Sequence, residues 1–382
     1  MEFSEMTIKL PQRELGKTGI KLSLLGLGGF HQCEVDSQIV AEVTNEFIAM
    51  GGNYIETARS YGNGGSEIKL GKAIAGRRNK VHLGSKTVKR DSEGAWRELN
   101  ETLEALQTDY LDLYFMHNVF KPEDMSAIIA KGGALEAFNR AKQEGLIKNI
   151  AISTHWPLLL LDAIEVIPYE AVLIWGNYLD YCNYPEIPDK ILPVLRERGV
   201  GHLIMKPLAD GYLHNSVEKA FRYALRDNPA CIVSGFNSVE MLKADAEAVC
   251  RGKLNDYETD ELLAEAPELN DYVCRQCSRC SVLPDGDGDL LKKIFELEGK
   301  FDRQMNDLRP IDTGTYALRQ YLGRWFGNAD RAQQAFSEIE NEIRNSIITQ
   351  EKDFAACRYN IDAGRKMKIA VAKLSGSKVS EI

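Results

Sequence analysis

The chain has 382 residues, 44% of them hydrophobic, and a formal net charge of −9. That length excludes a lone small domain and supports one large core plus a smaller one. The acidic balance offers no footprint for nucleic acid or anionic lipid, which are bound through clustered Lys and Arg, so small molecules and proteins are the expected partners.

The opening MEFSEMTIKLPQREL mixes acids and bases without an apolar core, and no later run reaches the roughly 18 continuous apolar residues of a membrane span. A cytoplasmic protein without membrane association is expected. In that reducing compartment the eight cysteines are expected as thiols or metal ligands, not as disulfides.

Short apolar or β-branched runs then alternate with longer amphipathic stretches. In chain order, strands are predicted in SLLGLGGF (23–30), NYIETA (53–58), VHLGSK (81–86), LDLYFMH (111–117), NIAIST (149–154), AVLIWGN (171–177), GHLIMK (201–206) and CIVSG (231–235). Helices are predicted in SQIVAEVTNEFIAMG, EGAWRELNETLEALQ, GALEAFNRAKQEG, KILPVLRERG and SVEKAFRYALRDN, several of them ending in Gly as a left-handed cap requires. Eight strands are the number that closes a parallel barrel, so the expected fold is α/β, a (β/α)8 TIM barrel. An open doubly wound sheet is the alternative, but the glycines of LGLGGF do not match G-x-G-x-x-G. The alternation stops near residue 250. The expected division is therefore a barrel over 1–265 and a small, mainly α-helical, cysteine-rich module over 266–382.

Chemistry in a β/α barrel sits where strands end and loops begin. NYIETA delivers Glu56 to such an end, VHLGSK delivers Lys86 and LDLYFMH delivers His117, with Tyr61 in the loop after Glu56. A buried ammonium at Lys86 would favour the Tyr61 phenolate and draw the tyrosine pKa down. Glu56 would keep Lys86 charged, and His117 would hold a carbonyl oxygen beside the Tyr61 hydroxyl. Each residue alone is more often a satisfied core group or a rim salt bridge; together at one mouth they suit protonation of a carbonyl during hydride delivery. A metal site on His117 and His155 lacks an evident third ligand, and His155 is expected to line the pocket.

At these residues the chain resembles the aldo-keto reductases. The resemblance runs through RELGKTGIKLSLLGLG, NYIETARSYGNGGSEIKLGKAI, VHLGSKT, LQTDYLDLYFMHN, LEAFNRAKQEGLIKNIAIS and KPLADGYL, in the family's order. It implies a (β/α)8 barrel, Tyr61 as proton donor, Lys86 and Glu56 as its activators, and His117 orienting a small carbonyl or alcohol substrate. It further implies hydride transfer with an NAD(P) cofactor held by Ser153, Thr154, Lys206, Pro207, Leu208 and Gly235. The chain departs from the family pattern in four places. Glu56 replaces the usual Asp, Ser153-Thr154 replaces a Ser-Asn pair, Leu173 stands where a Gln is usual, and Gly235, Phe236 and Met241 stand where many relatives place Lys, Ser and Arg against a 2′-phosphate. These departures motivate a second reading, a non-redox lyase or isomerase built on the same Tyr and Lys. A third reading is a redox sensor whose barrel has lost catalysis.

CRQCSRC spaces Cys274, Cys277 and Cys280 as C-x2-C-x2-C, which can grip three corners of a cubane cluster. The fourth position of a ferredoxin run is Pro284, so the remote Cys357 is the candidate for the open corner. A 4Fe-4S cluster on Cys274, Cys277, Cys280 and Cys357 is the expectation, and structural zinc is its rival. The module resembles the ferredoxin-like tail of a branch of aldo-keto-type iron-sulfur oxidoreductases. The cluster would be structural or would exchange electrons with the active site, with an electron-transfer protein as a further candidate partner. Cys33, Cys182, Cys231 and Cys250 are expected as core or pocket thiols.

Overall fold

A computed structural model of the chain describes residues 8–33, 35–119, 121–209, 213, 216–270, 274, 290–291, 293–295, 297–298, 329–339, 357 and 361–375. Two compact units emerge: Met1–Leu208 with Ser216–Asn255, and Ala209–Asn215 with Asp256–Ile382.

The first unit begins with an antiparallel hairpin, β1 (Gln12–Glu14) and β2 (Lys21–Ser23). Eight parallel strands follow: β3 (Leu25–Gly28), β4 (Tyr54–Glu56), β5 (His82–Thr87), β6 (Leu111–Met116), β7 (Ile147–Ser153), β8 (Ala171–Trp175), β9 (Gly201–Met205) and β10 (Cys231–Ser234). They pair in sequence order, and β10 returns to β3 to close the barrel. The predicted run 23–30 is thus divided: Ser23 ends the hairpin, and Gly29–Cys33 forms a 3-10 turn above the sheet.

Ten helices of this unit are α1 (Ser37–Ala49), α2 (Gly65–Ala73), α3 (Ser92–Leu106), α4 (Pro122–Ile129), α5 (Ala134–Gln143), α6 (Leu159–Val166), α7 (Tyr178–Asn183), α8 (Leu192–Arg198), α9 (Val217–Ala224) and α10 (Val239–Cys250). Their starts carry the expected chemistry. Asp36, Asp91, Asn177 and Ser238 each accept a hydrogen bond from a backbone N–H of the first turn, satisfying donors that the helix itself cannot. Gly199, at φ +70, ends α8 in the left-handed conformation.

Side chains of a strand alternate between faces. Tyr54, Leu113, Phe115, Ala151, Leu173, Leu203, Cys231 and Val233 pack together inside the barrel, joined by Leu15 and Leu22 from the hairpin. The hairpin seals the end where strands begin: Lys17 N–H donates to the Gly199 carbonyl just before β9 (2.9 Å). Gly16 sits at φ +50, and a Cβ there would lie 2.4 Å from that same carbonyl oxygen, so only glycine permits this closure.

The described part of the second unit contains α11 (Asp256–Asn270), α12 (Ala329–Ser337) and α13 (Ala363–Ser375). Leu291, Ile294, Phe295, Phe336, Met367 and Leu374 form its apolar core, against which Cys274 packs. Buried Glu298 accepts hydrogen bonds from Lys366 (2.5 Å) and Lys373 (3.0 Å).

Candidate active site

The inward parity of the core continues upward by two residues on each strand. From Tyr54 it reaches Glu56, from Phe115 His117, from Ala151 Ser153, from Leu173 Trp175 and from Val233 Gly235. The ends where strands stop therefore collect polar groups over an apolar floor.

Lys86, 1% exposed, forms an ion pair with Glu56. Its ammonium also donates to the Thr57 carbonyl (2.8 Å) and to the Tyr61 hydroxyl (3.0 Å). Backbone bonds hold the tyrosine there, since Thr57 N–H donates to the Gly84 carbonyl, Arg59 N–H to that of Lys86, and Tyr61 N–H to that of Ala58. The Arg59 guanidinium meets buried Glu67, which also accepts from Ser85 and Thr102, so α2 braces the loop. The His117 ring meets the Tyr61 ring edge-on (centroids 5.7 Å apart), and the Phe30 ring also meets the Tyr61 ring edge-on (5.1 Å). The four residues predicted to converge do so.

Their electrostatics differ from the expectation in one respect. Burial, reinforced by the nearby Cys33 thiol, raises the Tyr61 pKa above the ordinary phenol value. Lys86 does not reverse this, because Glu56 in direct contact balances its charge and leaves little net positive field for a phenolate. Burial itself pushes Lys86 downward. His117 is held neutral by burial first and then by Lys86, His155 and Arg90, and its Nδ1 is buried without a partner. The resting site thus keeps its proton on Tyr61 and presents an unsatisfied imidazole nitrogen beside it.

The predicted cofactor residues fare unevenly. The Ser153 hydroxyl accepts from Asn118 N–H (3.1 Å), while the buried Asn118 Oδ1 has no partner. That pairing leaves a hydroxyl donor and an amide acceptor in one corner, a set matched to a primary carboxamide. The Thr154 hydroxyl is spent on the backbone of Trp156, both donating (3.1 Å) and accepting (2.8 Å). Leu173 belongs to the apolar core. Lys206, at φ +55, opens the turn containing Pro207 and Leu208, and its carbonyl accepts from the Asn177 amide (2.9 Å). Gly235 lies under the His31 ring, which occupies the place a Cβ would take. His155 stacks on Trp175 (5.6 Å).

Trp175 and Asn118 are missing from the sequence reading. Alternation along AVLIW made Trp175 discoverable, whereas the contact of Asn118 with Ser153 joins separate strands and has no local signal. The candidate ligands Cys277 and Cys280 lie outside the described residues. Cys274 and Cys357 are half-buried and free of disulfides. Among the described residues no group of three His, Cys, Asp or Glu side chains is placed to hold a metal, and no helix is long and apolar enough to cross a membrane.

The aldo/keto reductase family model matches residues 24–262. The uncharacterized oxidoreductase YqkF of Bacillus subtilis is 27% identical over 214 residues, covering 53% of this chain and 66% of that protein. The L-galactose dehydrogenase of Arabidopsis thaliana is 30% identical over 224 residues, covering 54% and 67%. The chain thus spans about two thirds of the length of these relatives. Among solved structures, the aldo-keto reductase AKR11C1 of Bacillus halodurans superimposes with a TM-score of 0.57 at 24% identity, over 67% of this chain and 97% of that one, a likeness of fold. A closed eight-stranded barrel and a family match across more than half of its length establish that the chain belongs to the aldo/keto reductase family.

Proposed function

We propose that the chain is an NAD(P)-dependent oxidoreductase that interconverts a carbonyl and an alcohol on a small molecule, with Tyr61 as proton donor and acceptor. The observation that carries this reading is the Lys86 ammonium, shared between the Glu56 carboxylate and the Tyr61 hydroxyl at the barrel mouth. The relatives described as an oxidoreductase and a dehydrogenase support the reaction type.

Bound, the nicotinamide supplies the hydride in reduction and accepts it in oxidation. Ser153 and Asn118 would hold its carboxamide, while Lys206, Pro207, Leu208 and Gly235 would line the rest of the cofactor path. During reduction the Tyr61 proton would pass to the carbonyl oxygen as negative charge develops on it. His117 orients that oxygen through its unpartnered nitrogen. The phenolate left on Tyr61 is stabilised by the Lys86 hydrogen bond and regains its proton from solvent. The raised pKa keeps Tyr61 protonated until charge develops on the substrate.

In this reading residues 1–265 are the barrel and 266–382 a module that would hold a 4Fe-4S cluster on Cys274, Cys277, Cys280 and Cys357, with an electron-transfer protein as its partner. Anaerobic purification with iron, sulfide and zinc analysis tests the cluster, since Cys357→Ala should release iron and stoichiometric zinc without iron would refute it. For the barrel, purified protein is assayed against a panel of carbonyl substrates for product and dinucleotide together. Reduced product should match dinucleotide oxidised, and Tyr61→Phe should abolish both. Turnover without net dinucleotide oxidation would instead identify a lyase or isomerase.

A further inference from the structure

The turn that ends β6 carries two groups of the site on consecutive residues. His117 offers an unpartnered Nδ1 and meets the Tyr61 ring, while Asn118 offers an unpartnered Oδ1 beside Ser153. Asn118 stands at φ +47, a left-handed conformation that few residues other than glycine adopt, although asparagine tolerates it better than most. What holds the turn in that conformation is what its backbone groups bind.

On the N–H side the grip comes from neighbouring strands. His117 N–H donates to the Thr87 carbonyl at the end of β5 (2.9 Å), Asn118 N–H to the Ser153 hydroxyl (3.1 Å) and Val119 N–H to the Ser153 carbonyl (3.0 Å). On the carbonyl side stands Arg90. Its Nη2 donates to the carbonyls of both His117 (3.0 Å) and Asn118 (3.4 Å).

Arg90 is itself anchored from two helices. Its Nε forms an ion pair with Asp124 on α4 (3.3 Å), and its own carbonyl accepts from Ala134 N–H at the start of α5 (2.7 Å). The side chain is only 19% exposed, and Nη1 is buried without a partner. An arginine serving an ordinary rim ion pair would keep its nitrogens in water, where such pairs contribute little. This one bears the desolvation of an unpaired nitrogen while its planar fork spans from a carboxylate to two carbonyls, a reach that an ammonium with all its donors at one point does not have.

Resting on the reductase reading above, we propose that Arg90 is a positioning residue. By gripping both carbonyls of this turn it sets the His117 imidazole toward the substrate oxygen and the Asn118 amide toward the nicotinamide carboxamide, so that one guanidinium registers substrate and cofactor against each other. A displacement of reacting groups by about 1 Å is enough to cost roughly 10²-fold in rate.

Steady-state kinetics with a carbonyl that the unaltered chain reduces, fluorescence titration with NADH and NADPH, and thermal melts test the assignment on the full chain. Arg90→Met should lower kcat by roughly 10- to 10²-fold with a much smaller change in KM for the carbonyl. It should also weaken the dinucleotide several-fold, because the same turn carries both groups. In Arg90→Ala, free guanidinium at sub-denaturing concentration should restore part of both losses, and sodium chloride at equal ionic strength should restore neither. Folded Arg90→Met with unaltered kcat and dinucleotide affinity would overturn the inference, as would a loss confined to one of the two. Losses that only track the folded fraction and ignore guanidinium would show a merely structural role and overturn it as well. Should neither Arg90 variant fold, Asp124→Asn decides: a several-fold fall in kcat supports the inference, and unaltered kinetics refutes it. All of these outcomes leave the reductase reading intact, whereas an unaltered chain with no dinucleotide-coupled turnover would remove that reading and this one with it.

Discussion

Two buried clusters, one around Asp112 and one around Tyr61, hold charge in opposite ways. Where the strands begin, Asp112 accepts from Arg78 (2.8 Å), His82 (3.1 Å), Leu83 N–H (3.0 Å) and Lys148 (3.2 Å). Burial alone would raise its pKa, but the hydrogen bonds from His82 and Leu83 and the charge of Arg78 overcome this and hold it below the ordinary carboxylate range. Where the strands end, burial governs instead: Tyr61 is raised, Lys86 is lowered, and His117 and Asn118 retain unpartnered atoms. A fully satisfied network stabilises a fold, whereas an unsatisfied one stores binding capacity for something absent. The difference matches the division of labour in such barrels, stability at one face and chemistry at the other.

The sharpest way to break this comparison is to alter one residue in each cluster. Tyr61→Phe should reduce turnover by roughly 10²- to 10⁴-fold, the range for loss of a positioned acid, with little change in thermal midpoint. Steady-state rates and melting curves on the same preparation check it. Asp112→Ala should do the reverse. It leaves Arg78 and His82 without their buried partner and should cost roughly 3 to 5 kcal/mol in denaturant titration, with activity per folded molecule preserved. A large rate loss from Asp112→Ala at full folding would erase the contrast between the two clusters.

Two buried carboxyls sharpen it further through their pH dependence. The Asp112 value is depressed, so its stabilisation is present above the ordinary carboxylate pKa of 3.8 and is lost as pH falls toward the depressed value. Asp245 on α10 behaves oppositely. Burial raises it from 3.8 to about 7, against the partial opposition of a hydrogen bond from Ser234 (2.7 Å). Its stabilisation is complete below pH 3.8 and is lost as pH climbs through about 7. Asp245→Asn should therefore flatten the decline in stability between those limits, seen in melts taken across that span. An unchanged slope would mean that the carboxyl titrates normally.

The smallest expected effect concerns His117. Burial and neighbouring cations lower its pKa well below the ordinary 6.5. The pH profile of turnover should then show no inflection near 6.5 that disappears in His117→Gln. Such an inflection would place a charged imidazole in the working site.

Much of the architecture was legible in the chain because a parallel barrel writes its elements locally. Each barrel strand is a short β-rich run, and Glu56, Lys86 and His117 fall at strand ends where period-two alternation turns them inward. The prediction was least accurate at the first strand, where SLLGLGGF joins a hairpin residue, a strand and a 3-10 turn in one apolar run. Helices α2, α4, α6, α7 and α10 are likewise absent from the elements that the sequence pattern predicts. Apolar pattern alone does not separate a short strand from a buried turn, and short helices carry little periodic signal. At the site, Ser153 and Thr154 looked equivalent in sequence. One-residue parity divides them, Ser153 continuing the inward face and Thr154 binding the backbone of its own loop.

Composition and strand spacing were enough to predict the barrel, and the positions of Glu56, Lys86 and His117 at strand ends, with Tyr61 in the following loop, were enough to place them together at its mouth. These are properties of residue type and of a period that the backbone imposes locally. The protonation balance was decided only by tertiary structure. Whether Lys86 acts on Tyr61 as a net charge depends on how closely Glu56 approaches it and on how much water reaches both. The unpaired oxygens of Gln32, Asn118 and Asn237 likewise arise where segments distant in sequence pack together, and no local pattern encodes a partner that is missing.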